Sequence, residues 1–308
     1  MARAGPVTGQ FTGNRSYLGN VNFAQGAAGA SFNFVKQGTN IWYVDSGKTS
    51  GTSGGGTTWD TAFMTLLEAV TKAGAYDTIL IAPNSIQTIA SGGITITQDG
   101  LKIFGAGSSE AGKQSALKLS AGTSPMFTIT ADRVEIAGLN LSCRIAYPAI
   151  QIGDTNGLAH YFIHIHDCFL DGYGTATWGI TNGPTASDWT AQADSPGLVV
   201  ENCYFSSFAT AAIDANGTED TYRNNTIHVA TDTIGIDVSR TGGGRNPFLI
   251  IDNLFYGLAN ASTTAIKFAG NTTVGGGIVA RNLLAGSFNT TISNNTGDAG
   301  VENYQGTT

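Results

Sequence analysis

The chain has 308 residues, of which only 12% are charged, 42 are glycine and 41% are hydrophobic. A charged share about half the usual ~25% argues against a surface of solvated helices, and short runs of Ile, Val, Leu and Phe argue against disorder over most of the length. With a net charge of −7 the body as a whole repels nucleic acid and anionic membranes, and no apolar run reaches the ~18 residues of a membrane span.

Residues 1–40 contain Arg3, Arg15 and Lys36 and no Asp or Glu, so this segment carries +3 and the rest −10. Gly- and Ala-rich stretches such as 26–31 cannot build a core, so the segment reads as an arm that is either loose or ordered by a partner. The start, Met1 to Pro6, lacks the apolar segment of a secretory signal, and production in a cytoplasm is expected.

Ile41 to Asp45 has a strand pattern, and Ser46 to Gly56 a loop pattern. A helix of about four turns is predicted over 59–73, capped by Thr58 or Asp60, with Phe63, Leu66, Leu67 and Val70 on one face and Gly74 ending it. Asp77 to Pro83 then reads as a buried strand stopped by proline. A helix with one apolar face ahead of a run of strands suits the open end of a solenoid, so it is assigned as an N-terminal cap.

From about residue 86 one phrase returns. Leu101–Gly105, Val134–Gly138, Ile163–Asp167, Leu198–Asn202, Thr221–Asn225, Leu249–Asn253 and Ile278–Asn282 recur at intervals of 33, 29, 35, 23, 28 and 29. A second phrase keeps step: Ala149-Ile150, Gly179-Ile180, Ala212-Ile213, Gly235-Ile236, Ala265-Ile266 and Gly300-Val301. Two phrases sharing an irregular period of about 30 residues imply coils of several strands with loops of differing length.

Strand alternation sends Leu101, Ile103, Val134, Ile136, Ile163, Ile165, Leu198, Val200, Leu249 and Ile251 inward. Asp167, Asn202, Asn225, Asn253 and Asn282 then stack at a turn as a hydrogen-bonding ladder. Arg223 falls in an inward slot, which requires either a register slip or a paired guanidinium. Three places before the ladder, His164, Val199, Tyr222, Ile250 and Val279 form an outward apolar stripe, expected to bury itself in an oligomer or under the loop 182–196.

The order of Tyr43-Val-Asp45, Gly-rich loop, Trp59-Asp-Thr-Ala-Phe63, helix, Asp77–Pro83 and Asn-bearing coils resembles the cap and solenoid of the pectin-lyase-like superfamily over residues 41–304. That resemblance implies an all-β right-handed parallel β-helix with a capping helix, an extended N-terminal arm (1–40) and a short tail (305–308). Within the superfamily the chain is similar to bacteriophage virion β-helix proteins, which implies a homotrimer whose arm, through Arg3, Arg15 and Lys36, docks on a capsid or other virion protein.

The superfamily also contains polysaccharide lyases and hydrolases, but their motif sets are absent here. Asp214 and Asp237 follow the second phrase on adjacent coils and are the best carboxylate pair for a retaining glycosidase. Lys267, one coil on, could instead neutralise them, and Glu219 and Asp220 could supplement a sugar or calcium site. His164 and His166 share an outward face near His160, a spacing that suits a metal only if a third ligand such as Glu135 converges; no metal or cofactor is expected from the sequence. Cys143, Cys168 and Cys203 read as reduced packing thiols, although Cys168 and Cys203 follow the ladder on successive coils. Trp178, Trp189, Tyr173 and Tyr204 could stack on a bacterial surface glycan. A structural virion role is therefore the first expectation, and a glycan-binding or glycan-cleaving one, as a glycoside hydrolase or polysaccharide lyase, is the alternative.

Overall fold

The computed structural model describes residues 22–24, 31–33, 40–48, 55–107, 115–153, 159–182, 196–215, 217, 219–238, 248–258, 263–268, 277–288, 290–293 and 304–305. The chain divides into two units, Met1–Thr39 and Asn40–Thr308. In the first, Asn22–Ala24 and Ser31–Asn33 are paired antiparallel. Arg3, Arg15 and Lys36 lie outside the described residues.

The second unit is a right-handed parallel β-helix of three sheets. The first sheet stacks Ile41–Val44, Thr78–Ile81, Lys102–Gly105, Glu135–Ala137, His164–His166, Val199–Glu201, Thr221–Arg223, Leu249–Ile251 and Ile278–Ala280. The second stacks Ile86–Thr88, Ser115–Leu119, Leu139–Cys143, Phe169–Asp171, Tyr204–Ser206, Thr226–Val229, Leu254–Leu258, Leu283–Ser287 and Tyr304–Gln305. The third runs through Ile94–Ile96, Phe127–Ile129, Ile150–Ile152, Trp178–Asn182, Ala211–Asp214, Ile234–Val238, Thr264–Phe268 and Thr290–Ser293.

Each sheet contributes one inward column. In the first it is Ile79, Ile103, Ile136, Ile165, Val200, Tyr222, Ile250 and Val279, all buried and in register. The second sends in Leu117, Leu141, Leu170, Phe205, Ile227, Phe255 and Leu284. The third column is Phe127, Ile150, Ile180, Ile213, Ile236 and Ile266. At about 1.5–3 kcal/mol for each large aliphatic side chain removed from water, these columns supply the main stabilisation. The glycines ahead of Ile180 and Ile236 have a steric cause: a Cβ on Gly235 would lie 2.4 Å from Ala265 O and 2.8 Å from the Phe255 ring, and one on Gly179 would lie 2.6 Å from Ala212 O.

Five sequence expectations are corrected. The capping helix spans only Leu66–Lys72, because Thr65 and Glu68 form a reciprocal capping box that starts it there. Phe63 is drawn into a bridge with Val44, and Leu67 faces solvent, while Leu66, Ala69 and Val70 join the core. Gln87 accepts the Leu66 N–H at 2.7 Å, which fastens the helix to the first coil.

The second correction is a one-residue slip in the first sheet. Val199 pairs with Thr221 and Val200 with Tyr222, so Leu249 and Ile251 point outward while Phe248 and Ile250 are buried. Arg223 drives the slip: a guanidinium inside would cost several kcal/mol, whereas outside it meets Glu201 at 2.5 Å. Tyr222 takes the inward slot, with its hydroxyl on buried Asp220 at 2.8 Å.

The slip also redraws the ladder. Asn225, Asn253 and Asn282 are buried and continuous, and Asn225 Oδ1 accepts the Cys203 N–H at 3.0 Å, which puts the cysteine in their column. Asp167 and Asn202 instead occupy the preceding left-handed turn position, φ 53° and 54°, with Asn224, Asp252 and Arg281. Finally, the strand that follows Thr264–Phe268 in the third sheet is Thr290–Ser293, with Ile292 opposite Ile266, the last of that sheet among the described residues; Gly300-Val301 lies outside them. At the C-terminal end, Gln305 belongs to a second-sheet strand opposite Leu284 rather than to a tail.

Candidate functional site

Outward positions of the first sheet gather the main cluster of titratable groups. Glu135 pairs directly with His164, and His166 lies two residues further on the same face. Lys102 reaches Glu135 Oε2 at 2.5 Å, His166 Nε2 lies 3.2 Å from Glu135 Oε1, and His166 Nδ1 lies 2.7 Å from Asp167 Oδ2. On the next coils, His164 Nε2 meets Glu201 Oε1 at 2.9 Å, and Arg223 holds the other Glu201 oxygen. The two imidazoles stack with centroids 4.2 Å apart. Five successive coils thus carry a closed alternation of cation, carboxylate, two rings, carboxylate and cation.

The electrostatics follow from these contacts. Burial pushes Glu135 up, but hydrogen bonds and charge from Lys102 and His166 outweigh it and hold the carboxyl below its usual range. Arg223 does the same to Glu201, against partial burial and aided by His164. For His166, burial favours the neutral ring, while Asp167 and Glu135 overcome it and raise the pKa. The convergence of Glu135 with both histidines, a condition set at the sequence level, is met: one ligand atom from each of the three lies within 4.8 Å of the others. His160 is apart from them, buried with Nδ1 3.9 Å from Asp132.

On the third sheet Asp214 and Asp237 are neighbours in register, followed by Lys267. Thr181 donates to Asp214 at 2.8 Å and Lys267 Nζ lies 3.8 Å from Asp237, so one of the two carboxylates has a cation beside it and the other a hydroxyl donor. Asp220 turns away from this row; it is buried and accepts from Leu198 N–H, the Asn182 amide and the Tyr222 hydroxyl. Glu219 is exposed at the turn. Asp220 is therefore a structural fastener and supplements no surface site.

The proposed apolar interface stripe does not exist as such. Tyr222, Ile250 and Val279 are core residues, and of the four interface candidates only Val199 faces outward, in a row with Thr221, Leu249 and Ile278. The second sheet carries an aromatic row of which sequence reasoning named only Tyr204. Phe169 stacks on Tyr204 at 4.8 Å, Tyr204 meets His228 at 4.9 Å, and His228 meets Tyr256 at 5.0 Å. Arg144 lies 3.8 Å over the ring of Tyr173, which is 51% exposed. Trp178 is half-buried, and Trp189 lies outside the described residues. The signal for the row was present in the residues just after each ladder position, Phe169, Tyr204 and, two places later, His228 and Tyr256. The three cysteines are free and buried, and the Cys168 and Cys203 thiols face main-chain carbonyls at 3.2 and 3.3 Å.

No protein-family model matches the chain, and no curated protein matches it. Among solved structures, a rhamnogalacturonan lyase superposes with a TM-score of 0.50 at 13% identity, covering 85% of this chain and 89% of that one. The chain has the pectin-lyase-like fold. Other similar structures of the pectin-lyase-like kind are a pectate lyase (TM-score 0.43, 14% identity, 82% and 77% covered) and an alginate lyase from a Paenibacillus species (0.40, 17%, 87% and 98%). At these identities the likeness concerns the fold, and the first-sheet cluster belongs to this chain's own residues.

Proposed function

We propose that the chain is a structural bacteriophage virion protein, a capsid decoration, cement or fibre-like β-helix that docks through its N-terminal arm. The observation that carries this reading is the contrast between its two units. The first 39 residues hold three cations and no acid, while the rest of the chain carries −10 and pairs its outward cations with carboxylates on neighbouring coils at Lys102–Glu135, Arg223–Glu201, Lys267–Asp237 and Arg281–Asp252. The two units therefore differ in the sign of their net charge, a basic arm and an acidic solenoid. Trimerisation would use the outward row Val199, Leu249 and Ile278. Cryo-electron microscopy of particles incubated with the full chain tests the docking: density at fixed capsid sites, lost when Arg3, Arg15 and Lys36 are changed to Glu, is the expected result, and unchanged attachment of that variant refutes it.

A second reading, binding or cleavage of a bacterial surface glycan, is favoured by the aromatic row Phe169, Tyr204, His228 and Tyr256 on a fold shared with a rhamnogalacturonan lyase. Retention on immobilised capsular or lipopolysaccharide glycans that falls with Tyr204→Ala supports binding. Product release by wild type but not by Asp237→Asn supports cleavage, and inactivity of both removes the enzyme.

A further inference from the structure

We propose that Glu135, His164 and His166 form a three-ligand site for Zn2+, with Asp167 as the carboxylate that orients His166. This inference is independent of the virion and glycan readings. Its basis is the backbone register: Glu135 and His164 are directly paired across neighbouring parallel strands, and His166 follows on the same face of the same strand. The sheet therefore fixes the three Cα positions, and only side-chain torsions remain to be set.

The donor atoms lie within 4.8 Å of one another, and His166 Nε2 is already 3.2 Å from Glu135 Oε1. Zn–N and Zn–O bonds of about 2.0–2.1 Å in tetrahedral geometry separate ligand atoms by about 3.4 Å, so small rotations of these partly exposed side chains complete the site. Two imidazoles and one carboxylate form a nitrogen-rich set that suits Zn2+ and disfavours Ca2+ or Mg2+, which take oxygen ligands.

The surroundings supply what a histidine–carboxylate metal site needs. Asp167 accepts from His166 Nδ1 at 2.7 Å, which leaves Nε2 as the ligand nitrogen. Lys102 occupies Glu135 Oε2 and leaves Oε1 for the ion. Glu201 holds one ring nitrogen of His164, and in the proposed site the other ring nitrogen serves the ion. Three protein ligands leave a fourth position for water, as in zinc sites that keep an open coordination position.

The test is calorimetric titration of zinc chloride into the full-length, untagged chain after chelator treatment. One ion per chain is expected. Glu135→Gln and His166→Ala should each weaken binding at least 100-fold, Asp167→Asn roughly 10- to 100-fold, and His228→Ala on the second sheet should leave it unchanged. A second readout needs no variant: Co2+ added to wild type should give the visible absorption of a low-coordinate nitrogen and oxygen site. Absence of saturable zinc binding up to millimolar concentration, a Co2+ spectrum identical to the aqua ion, or undiminished binding by a folded His164→Ala/His166→Ala variant overturns the site.

Discussion

Replacing Asn253 by Ala removes the centre of the buried amide ladder. Asn253 Oδ1 accepts from both the main-chain N–H and the side-chain amide of Asn225 at 3.0 Å, and its Nδ2 donates to Tyr222 O and Asn282 Oδ1 at 2.9 Å. The substitution leaves all four partners buried without it, in a turn where the neighbouring coil blocks water. At about 1 kcal/mol for each bond, the loss is near 4 kcal/mol, and the desolvation of orphaned groups sets a higher ceiling. The exposed Asn202, one place earlier in its own coil, occupies a left-handed turn with φ 54°, so Asn202→Gly should stay within a few tenths of wild type. Urea unfolding followed by far-ultraviolet circular dichroism measures both. A loss below about 1 kcal/mol for Asn253→Ala would show that the ladder is incidental to the stacking of coils.

The register of the first sheet makes a sharper comparison of adjacent residues. Ile250→Ala should cost about 2–5 kcal/mol, because Ile250 is fully buried, and Ile251→Ala less than about 1, because Ile251 is outward; equal losses in urea titrations would refute the slip. Asp220 gives a pH signature: burial lifts its carboxyl to about 7 in spite of donors from Tyr222, Leu198, Asn182 and Gly217. Between the ordinary range near ~3.9 and about 7, the folded chain holds a proton that the unfolded chain has released, so this group's contribution falls as pH rises through that window and levels above it. The difference in urea midpoint between wild type and Asp220→Asn should therefore shrink from pH 4.5 to 7.5, and a difference that grows contradicts the assignment. Burial pushes the Cys203 thiol well up, and all three cysteines are buried, so the native chain should ignore a disulfide-exchange reagent at pH 8 and release three equivalents in urea.

The solenoid was legible in the sequence because two phrases kept one irregular period, which only stacked coils can explain. What misled was parity. Leu198-Val199-Val200 and Leu249-Ile250-Ile251 are each three apolar residues long, so period-two alternation alone cannot say which of them face inward. The deciding information lay at the turn, where a left-handed residue precedes the buried ladder position. Counting three back from Asn225, Asn253 and Asn282, and from Cys168 and Cys203, gives Tyr222, Ile250, Val279, Ile165 and Val200, the observed inward column. The cysteines concealed this, because a thiol hydrogen-bonded to a carbonyl can fill the ladder slot that an amide fills elsewhere.

The same error erased an interface and left a chemical cluster intact. Glu135, His164 and His166 lie in coils before the slip, so their predicted outward convergence was unaffected, while the stripe through Tyr222, Ile250 and Val279 lay after it and inverted. In a solenoid each coil inherits its register from the coil beneath, so a single charged residue such as Arg223, which must face water, fixes the orientation of every strand that follows on that sheet. Residues of a surface site are therefore best sought across two or three adjacent coils whose register is pinned by a charge pair. On the first sheet, the coils bounded by Lys102 and Arg223 meet that condition.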